Sequence, residues 1–183
     1  MVVLSTPLRE DKLRALRIGD MVLINGIILT GRDRVHRYLF EKRPEMEFLE
    51  NSIIYHCGPI VKDNKVLSAG PTTSIRLERY TPELIAHYHI KAIIGKGGMG
   101  EETLSAMKRH GCVYLQATGG AGAYLAKRIK RIVDVKFLEE FGMPEALWIL
   151  EVEDFPAVVT MDSHGESLHK RIEEMSRRRR SNS

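Results

Sequence analysis

Ala92-Ile93-Ile94-Gly95-Lys96-Gly97-Gly98-Met99-Gly100 is the stretch that decides the fold of this chain. Its short apolar run reads as a buried strand, and the strand feeds straight into a glycine loop. Residues 101–110 carry a helical rhythm that Gly111 stops, and residues 113–116 form the next apolar strand. Strand, loop, helix and strand in one short stretch form the unit from which α/β sheets are built.

Outward from this unit the same alternation continues. Residues 8–17 have a helical spacing that ends at Gly19-Asp20, and residues 33–40 form a short helix with Asp33 as its cap. Residues 21–24 and 27–30 are β-branched, apolar runs split by Asn25-Gly26, which predicts a turn or hairpin. Strands are expected at 53–57 and 65–69 with a turn at Asp63-Asn64, and at 147–152 and 158–161. Helices are expected at 72–80, from Thr81-Pro82 onward, at 121–130 and, with polar character, at 164–180. The expectation is an α/β fold whose sheet is mixed because of the early hairpin. It forms one domain over residues 1–170, with a polar, arginine-rich tail at 171–183.

Composition narrows the function. With 183 residues and 43% apolar content the chain can bury a full core. No apolar run approaches the roughly 20 residues needed to cross a bilayer. The start of the chain lacks the basic-then-apolar layout of a signal peptide, so a soluble, cytoplasmic protein with no membrane partner is expected. The formal net charge is +4, and Arg177, Arg178, Arg179 and Arg180 account for it, leaving a nearly neutral body. A basic tail on a neutral body is expected to be a solvated terminus and not a nucleic-acid site. The two cysteines, Cys57 and Cys112, have no short-spaced partners. They cannot hold a four-cysteine iron–sulfur cluster, and free thiols are expected, with a disulfide as the alternative.

The polar motifs point to a small polycarboxylate. Gly70-Pro71-Thr72-Thr73-Ser74-Ile75-Arg76 places two hydroxyls and an arginine at a loop–helix junction, and Gly95-Lys96-Gly97-Gly98 adds a lysine after a strand. Guanidinium grips a carboxylate with two parallel hydrogen bonds, and ammonium supplies a compact charge. The glycine loop lacks both the Walker and the dinucleotide spacing, so it suits a simple anion. Arg32 and His36 stand one helical turn apart, which offers a cation and a proton carrier on one face; the alternative is a solvated surface helix with His36 exposed. Thr118 to Ala123 is a second glycine cluster, read as helix packing with lining of the same crevice as the alternative. Asp162, His164 and Glu166 read as a solvated turn, with a metal or acid–base group as the alternative.

Taken together, Arg17-Ile18-Gly19-Asp20, Arg32-Asp33 with His36, Cys57-Gly58-Pro59-Ile60-Val61, residues 70–78, residues 95–100 and Gly142-Met143-Pro144-Glu145-Ala146-Leu147-Trp148 resemble one family over about residues 4–168. It is the β subunit of the iron–sulfur hydro-lyases, the two-subunit class I fumarate hydratases and L(+)-tartrate dehydratases. The resemblance implies a swivelling β/β/α domain, also found as the C-terminal part of single-chain class I fumarases. It implies a partner α subunit holding a [4Fe-4S] cluster, whose open iron acts as a Lewis acid, and an active site between the two chains in an α2β2 heterotetramer, with a homodimer for the isolated chain.

Residue by residue, the resemblance assigns catalysis to His36 and a proton-abstracting hydroxyl to Thr72, with Thr73 supporting the same site. It assigns carboxylate binding to Arg32, Arg76 and Lys96. The proton-transfer residue is either Thr72 or His36, or a network they share. Ile75-Arg76-Leu77-Glu78 departs from the small-Arg-Met-Asp ending of many fumarases toward the Met-Arg-Met-Glu of tartrate dehydratases. Reversible hydration of fumarate to malate, within the tricarboxylic acid cycle, is the first expectation. Tartrate dehydration to oxaloacetate and non-enzymatic dicarboxylate binding are the alternatives.

Overall fold

Nine strands and seven α-helices are laid out along residues 1–181, the part of the chain described by the computed structural model. The strands are β1 (Val2–Ser5), β2 (Met21–Thr30), β3 (Ile53–Tyr55), β4 (Ile60–Lys62), β5 (Lys65–Ser68), β6 (Ala92–Gly95), β7 (Val113–Gln116), β8 (Ile129–Lys136) and β9 (Leu147–Met161). The helices are α1 (Glu10–Ala15), α2 (Asp33–Lys42), α3 (Thr81–Tyr88), α4 (Glu101–His110), α5 (Gly122–Ala126), α6 (Leu138–Phe141) and α7 (Leu168–Ser181). The last two residues of the expected tail lie outside the described residues.

Seven strands form one mixed sheet in the order β1-β2-β3-β6-β7-β9-β8, and β2 also pairs with β9. That second pairing closes β2, β3, β6, β7 and β9 into a barrel-like ring. The pairs among β1, β2, β3, β6 and β7 are parallel, whereas β9 runs antiparallel to β2, β7 and β8. The sheet is therefore mixed because of β9 and not because of an early hairpin. β4 and β5 form a separate hairpin.

Alternation along the parallel strands sorts the core into two clusters. Ile53, Tyr55, Ala92, Ile94, Val113 and Leu115 face the barrel interior, where the Tyr55 and Phe155 rings meet edge-on at 5.4 Å. Ile54, Ile93 and Tyr114 point the other way and pack with Leu39, Leu84, Ile85 and Met107 of the covering helices. Burial on both faces explains why these strands read as unbroken apolar runs. None of the helices among the described residues is long and apolar enough to cross a membrane.

Several local expectations change. Asn25-Gly26 is a bulge inside one continuous strand, since the β2–β9 register shifts between Ile24 and Gly26. Tertiary partners override the turn preference here. Asn25 accepts the Thr6 amide at 3.0 Å through its carbonyl and the Asp154 amide at 2.8 Å through Oδ1. Residues 147–152 and 158–161 likewise belong to one strand, which bends at Asp154 with φ at 49°. The helix expected at 121–130 stops at Ala126, and β8 follows as an edge strand whose exposed Lys130, Arg131 and Asp134 protect it from further pairing. The Asp63-Asn64 turn joins β4 to β5, with both residues left-handed at φ of 49° and 56°. The helix expected at 72–80 shrinks to one 3-10 turn, Ser74–Leu77, because residues 72–73 are held extended.

Gly26 is the tightest point of the bulge. Its φ is 106°, and an added Cβ would lie 2.2 Å from Thr6 Oγ1, the atom that accepts the Ile27 amide at 2.6 Å. Gly26→Ala is expected to cost about 2–4 kcal/mol of folding stability through strain and clash. A urea denaturation midpoint equal to that of the wild type would contradict this reading of the bulge.

Candidate active site

Parallel strands β2, β3 and β6 end at the same edge of the sheet, with Arg32 two residues beyond β2, and His56 and Lys96 directly after β3 and β6. The crevice beyond the carboxyl ends of such strands is where α/β sheets place ligands. Residues 72–74 return to this edge and lie between the ends of β3 and β6. The Thr72 amide donates to His56 O at 2.7 Å, the Ser74 amide to Lys96 O at 3.1 Å, and the Lys96 amide to Thr72 O at 3.4 Å. Bridges Cys57↔Pro71 and Thr73↔Lys96 complete the insertion. Thr72 is thereby half-buried and Thr73 exposed at the rim.

Cations gather around this insert. Arg76 Nη2 donates to Thr72 Oγ1 at 3.2 Å and lies 3.4 Å from Asp33 Oδ2. Both members of the Arg76–Asp33 pair are about half exposed, at 48% and 49%, so the pair is weak and an incoming carboxylate can replace Asp33. Lys96 is half-buried and has no ion pair among the described residues; its Cδ lies 3.6 Å from where a Cβ on Gly119 would sit. Arg32 lies against Gly58, where a Cβ would stand 2.7 Å from its Nη1 and 2.8 Å from Pro144 O. Its Nε is 3.4 Å from Glu145 Oε1, and Glu145 also accepts the Arg34 amide at 3.1 Å. Trp148 donates from Nε1 to Met143 O at 2.9 Å and from its amide to Thr30 Oγ1 at 3.0 Å, which fixes the Glu145 loop to the end of β2. The motifs at 32–36, 57–61 and 142–148 are thus one clamp on Arg32.

Beneath the cations is a layer of buried polar groups. His36 is fully buried, not exposed on a surface helix, and its Nδ1 donates to Arg32 O at 2.8 Å, which leaves Nε2 as an unpartnered lone pair. Its ring meets His56 edge-on at 4.9 Å. His56 is also fully buried, with Nδ1 2.8 Å from Ser74 Oγ and Nε2 unpartnered; Ser74 Oγ is in turn 2.8 Å from Tyr114 OH. Burial lowers the His36 pKa to about 4, and holds His56 well below 6.5 with help from the neighbouring His36.

Other residues have structural duties. Asp33 does not cap α2; Arg32 occupies the cap position, and Asp33 opens the helix facing Arg76. Of the stretch Ile75-Arg76-Leu77-Glu78, Leu77 is core, and Glu78 accepts the Gly100 and Thr103 amides at 2.8 and 3.0 Å to cap α4. Gly122 packs on Gly70 and Ser68, while Gly119 borders Lys96. Asp162 is buried and not solvated; it accepts the amides of Ile18, His164 and Glu166 at 3.2, 2.9 and 3.1 Å. Cys57 and Cys112 are buried, unpaired thiols, and desolvation pushes the Cys57 pKa up to about 12. Among the described residues no three His, Cys, Asp or Glu side chains come together as a metal group. His56 and Tyr114 stand in none of the polar motifs of the sequence, and Asp33, Ser74 and Glu145 stand in motifs that gave them no part in the site. Their signal was only adjacency, as His56 precedes the Cys57 motif and Ser74 sits inside the Gly70 to Arg76 stretch.

The neutral histidines set a pH dependence. Below pH 6.5 the unfolded chain takes up protons that the folded chain refuses, so stability is full above that value and falls as the pH drops toward 4. For His36 alone the loss is about 2–3 kcal/mol by about pH 4.5. Denaturant titrations at about pH 7 and about pH 4.5 are expected to show this loss in the wild type and less of it in His36→Gln.

With this geometry in place, comparison with known proteins identifies the family. The family described as Fumarase C-terminus matches residues 1–172. A relative named "Putative fumarate hydratase class I" from Geobacillus stearothermophilus is 51% identical over 181 residues, covering 96% of this chain and 35% of the relative. A "Putative L(+)-tartrate dehydratase subunit beta" from Methanocaldococcus jannaschii is 45% identical over 174 residues, covering 90% of this chain and 89% of the relative. The L(+)-tartrate dehydratase subunit beta of Escherichia coli K12 is 37% identical over 172 residues, covering 91% and 85%. The chain therefore spans about a third of the first relative and most of the other two. A match over nearly its whole length places this chain in the Fumarase C-terminus family.

Proposed function

We propose that the chain is the β subunit of a cytoplasmic iron–sulfur hydro-lyase that reversibly hydrates fumarate to malate. Its site would be shared with a cluster-bearing α subunit, in an α2β2 heterotetramer. The observation that carries this reading is the convergence of Arg76, Thr72, Lys96 and Arg32 on one sheet edge around a half-exposed rim. The names of the relatives supply the reaction class: one is named a fumarate hydratase, and the others are named tartrate dehydratase β subunits. The [4Fe-4S] cluster is assigned to the partner because this chain has two cysteines, too few to ligate it. In this reading the chain is a swivelling domain that brings its half-site to the cluster.

Each residue then has a role that its surroundings can sustain. Arg76 exchanges Asp33 for one substrate carboxylate, and Lys96 and Arg32 hold the other end. Thr72 presents its hydroxyl beside Arg76, whose charge favours the negative oxygen left when the proton departs. A threonine alone is a weak base, so the proton moves through a network that includes His36, neutral near pH 7 and with a free lone pair at Nε2. Thr73 keeps the insert in register with Lys96.

Tartrate dehydration to oxaloacetate is the second reading, favoured by the names of the M. jannaschii and E. coli relatives. Ile75 is exposed and adjacent in sequence to Arg76, within the stretch that departs from the fumarase pattern, so it is the side chain to vary when asking whether a second hydroxyl is accepted.

Arg76→Ala in the reconstituted complex is expected to lower kcat/KM at least ~100-fold while the complex still elutes as a single assembly. Arg76→Lys recovers only part of the loss, because a lysine cannot form the paired bonds. Full activity in Arg76→Ala would contradict the assignment.

A further inference from the structure

The buried polar layer contains groups that none of the roles above uses. His56, Ser74 and Tyr114 form a hydrogen-bonded row with two contacts of 2.8 Å, all three buried, and Gly95 is shaped around it. A Cβ on Gly95 would lie 1.9 Å from Ser74 Oγ and 2.7 Å from Tyr114 OH, so the end of β6 leaves space only for this row. His56 grips the insert twice. Its carbonyl accepts the Thr72 amide, and its Nδ1 meets the Ser74 hydroxyl, while its own amide is anchored on Ile94 O at 2.8 Å. Ser74 stands between Thr72 and Arg76, and its amide fixes it to Lys96. A buried row of hydrogen-bonded side chains fixes the relative geometry of the segments it joins.

We propose that His56 and Ser74 are positioning residues that set the Thr72 hydroxyl against the Lys96 loop, with Tyr114 as the fixed end of the row. This rests on the hydro-lyase reading for its catalytic consequence, but not for its structural one. The two site side chains flanking Ser74 differ in reach. Arg76 is long and half exposed, so it still finds a carboxylate when the insert loosens. Thr72 is short, so although its hydroxyl accepts from Arg76 its position is set by its main chain, and the hydroxyl loses register. Loss of the row therefore falls on kcat more than on KM.

The test uses Ser74→Ala, Tyr114→Phe, His56→Leu and His56→Asn, each made in the chain co-expressed with its cluster-bearing partner. An asparagine amide can occupy the position of the histidine Nδ1, whereas leucine cannot hydrogen-bond. Ser74→Ala and His56→Leu are expected to lose about 30- to 100-fold in kcat with KM changed less than about threefold, and His56→Asn to recover to within about fivefold of wild type. Tyr114→Phe leaves the His56–Ser74 contact in place and is expected to lose less than Ser74→Ala. A wild-type kcat in Ser74→Ala, or a His56→Asn variant as poor as His56→Leu, would overturn the proposal. Hydrogen exchange separates this from the functional reading. Ser74→Ala is expected to speed exchange at the Thr72 and Lys96 amides and at the amide of position 74 at least about tenfold relative to the amides of β6. Unchanged exchange there would overturn the positioning role even if the complex proved inactive toward every acid tested.

Discussion

Strand β9 is hydrogen-bonded to β2 on one side and to β7 and β8 on the other, and its pairing with β2 turns an open sheet into a ring. An open parallel sheet would leave β2 and β7 wanting partners; the antiparallel β9 satisfies both at once. Closure creates an interior that Tyr55, Phe155 and the aliphatic residues fill, and an exterior that α2, α3 and α4 cover. It also fixes the edge at which β2, β3 and β6 end, so the site inherits its geometry from the ring.

At that edge the chain adds a short extended insert, residues 72–74, held by main-chain bonds to His56 and Lys96. This arrangement explains how a threonine and an arginine distant in sequence from Arg32 and Lys96 come to share one rim. Uncharged polar groups are buried, and the Arg76–Asp33 pair faces outward. His36, His56, Ser74 and Tyr114 are enclosed and uncharged near neutral pH, whereas Arg76 and Asp33 form an exposed pair that a carboxylate can open. Charge that must meet a ligand stays wet, and the groups that aim it stay dry.

Much of this was legible in the sequence. The unit 92–116 reads directly, because its strands and helix carry complete apolar patterns and α4 ends at Gly111 as expected. The Gly70 and Gly95 motifs stood out in the sequence as candidate ligand-binding loops, and the structure brings them together through Thr73 and Lys96. Local preference failed where tertiary partners outweighed it. Asn25-Gly26 became a bulge because Thr6 and Asp154 claim its polar groups, and residues 72–73 stayed extended because Lys96 pairs with them. β8 was hidden by the charges that protect an edge strand. His56, Ser74 and Tyr114 could not be selected, since nothing local distinguishes a buried polar residue in a row from one alone.

On the proposed function this chain is half of a site: cations, a hydroxyl and a proton network on a rim, with the metal chemistry assigned to a partner. Its most direct test is anaerobic co-expression with the cluster-bearing subunit, followed by absorbance assays with fumarate, malate and both tartrate enantiomers, on the complex and on the chain alone. The account predicts selective turnover by the complex, with fumarate and malate as the preferred pair, and none by the isolated chain. A well-formed complex with an intact cluster that turns over none of these acids would contradict it.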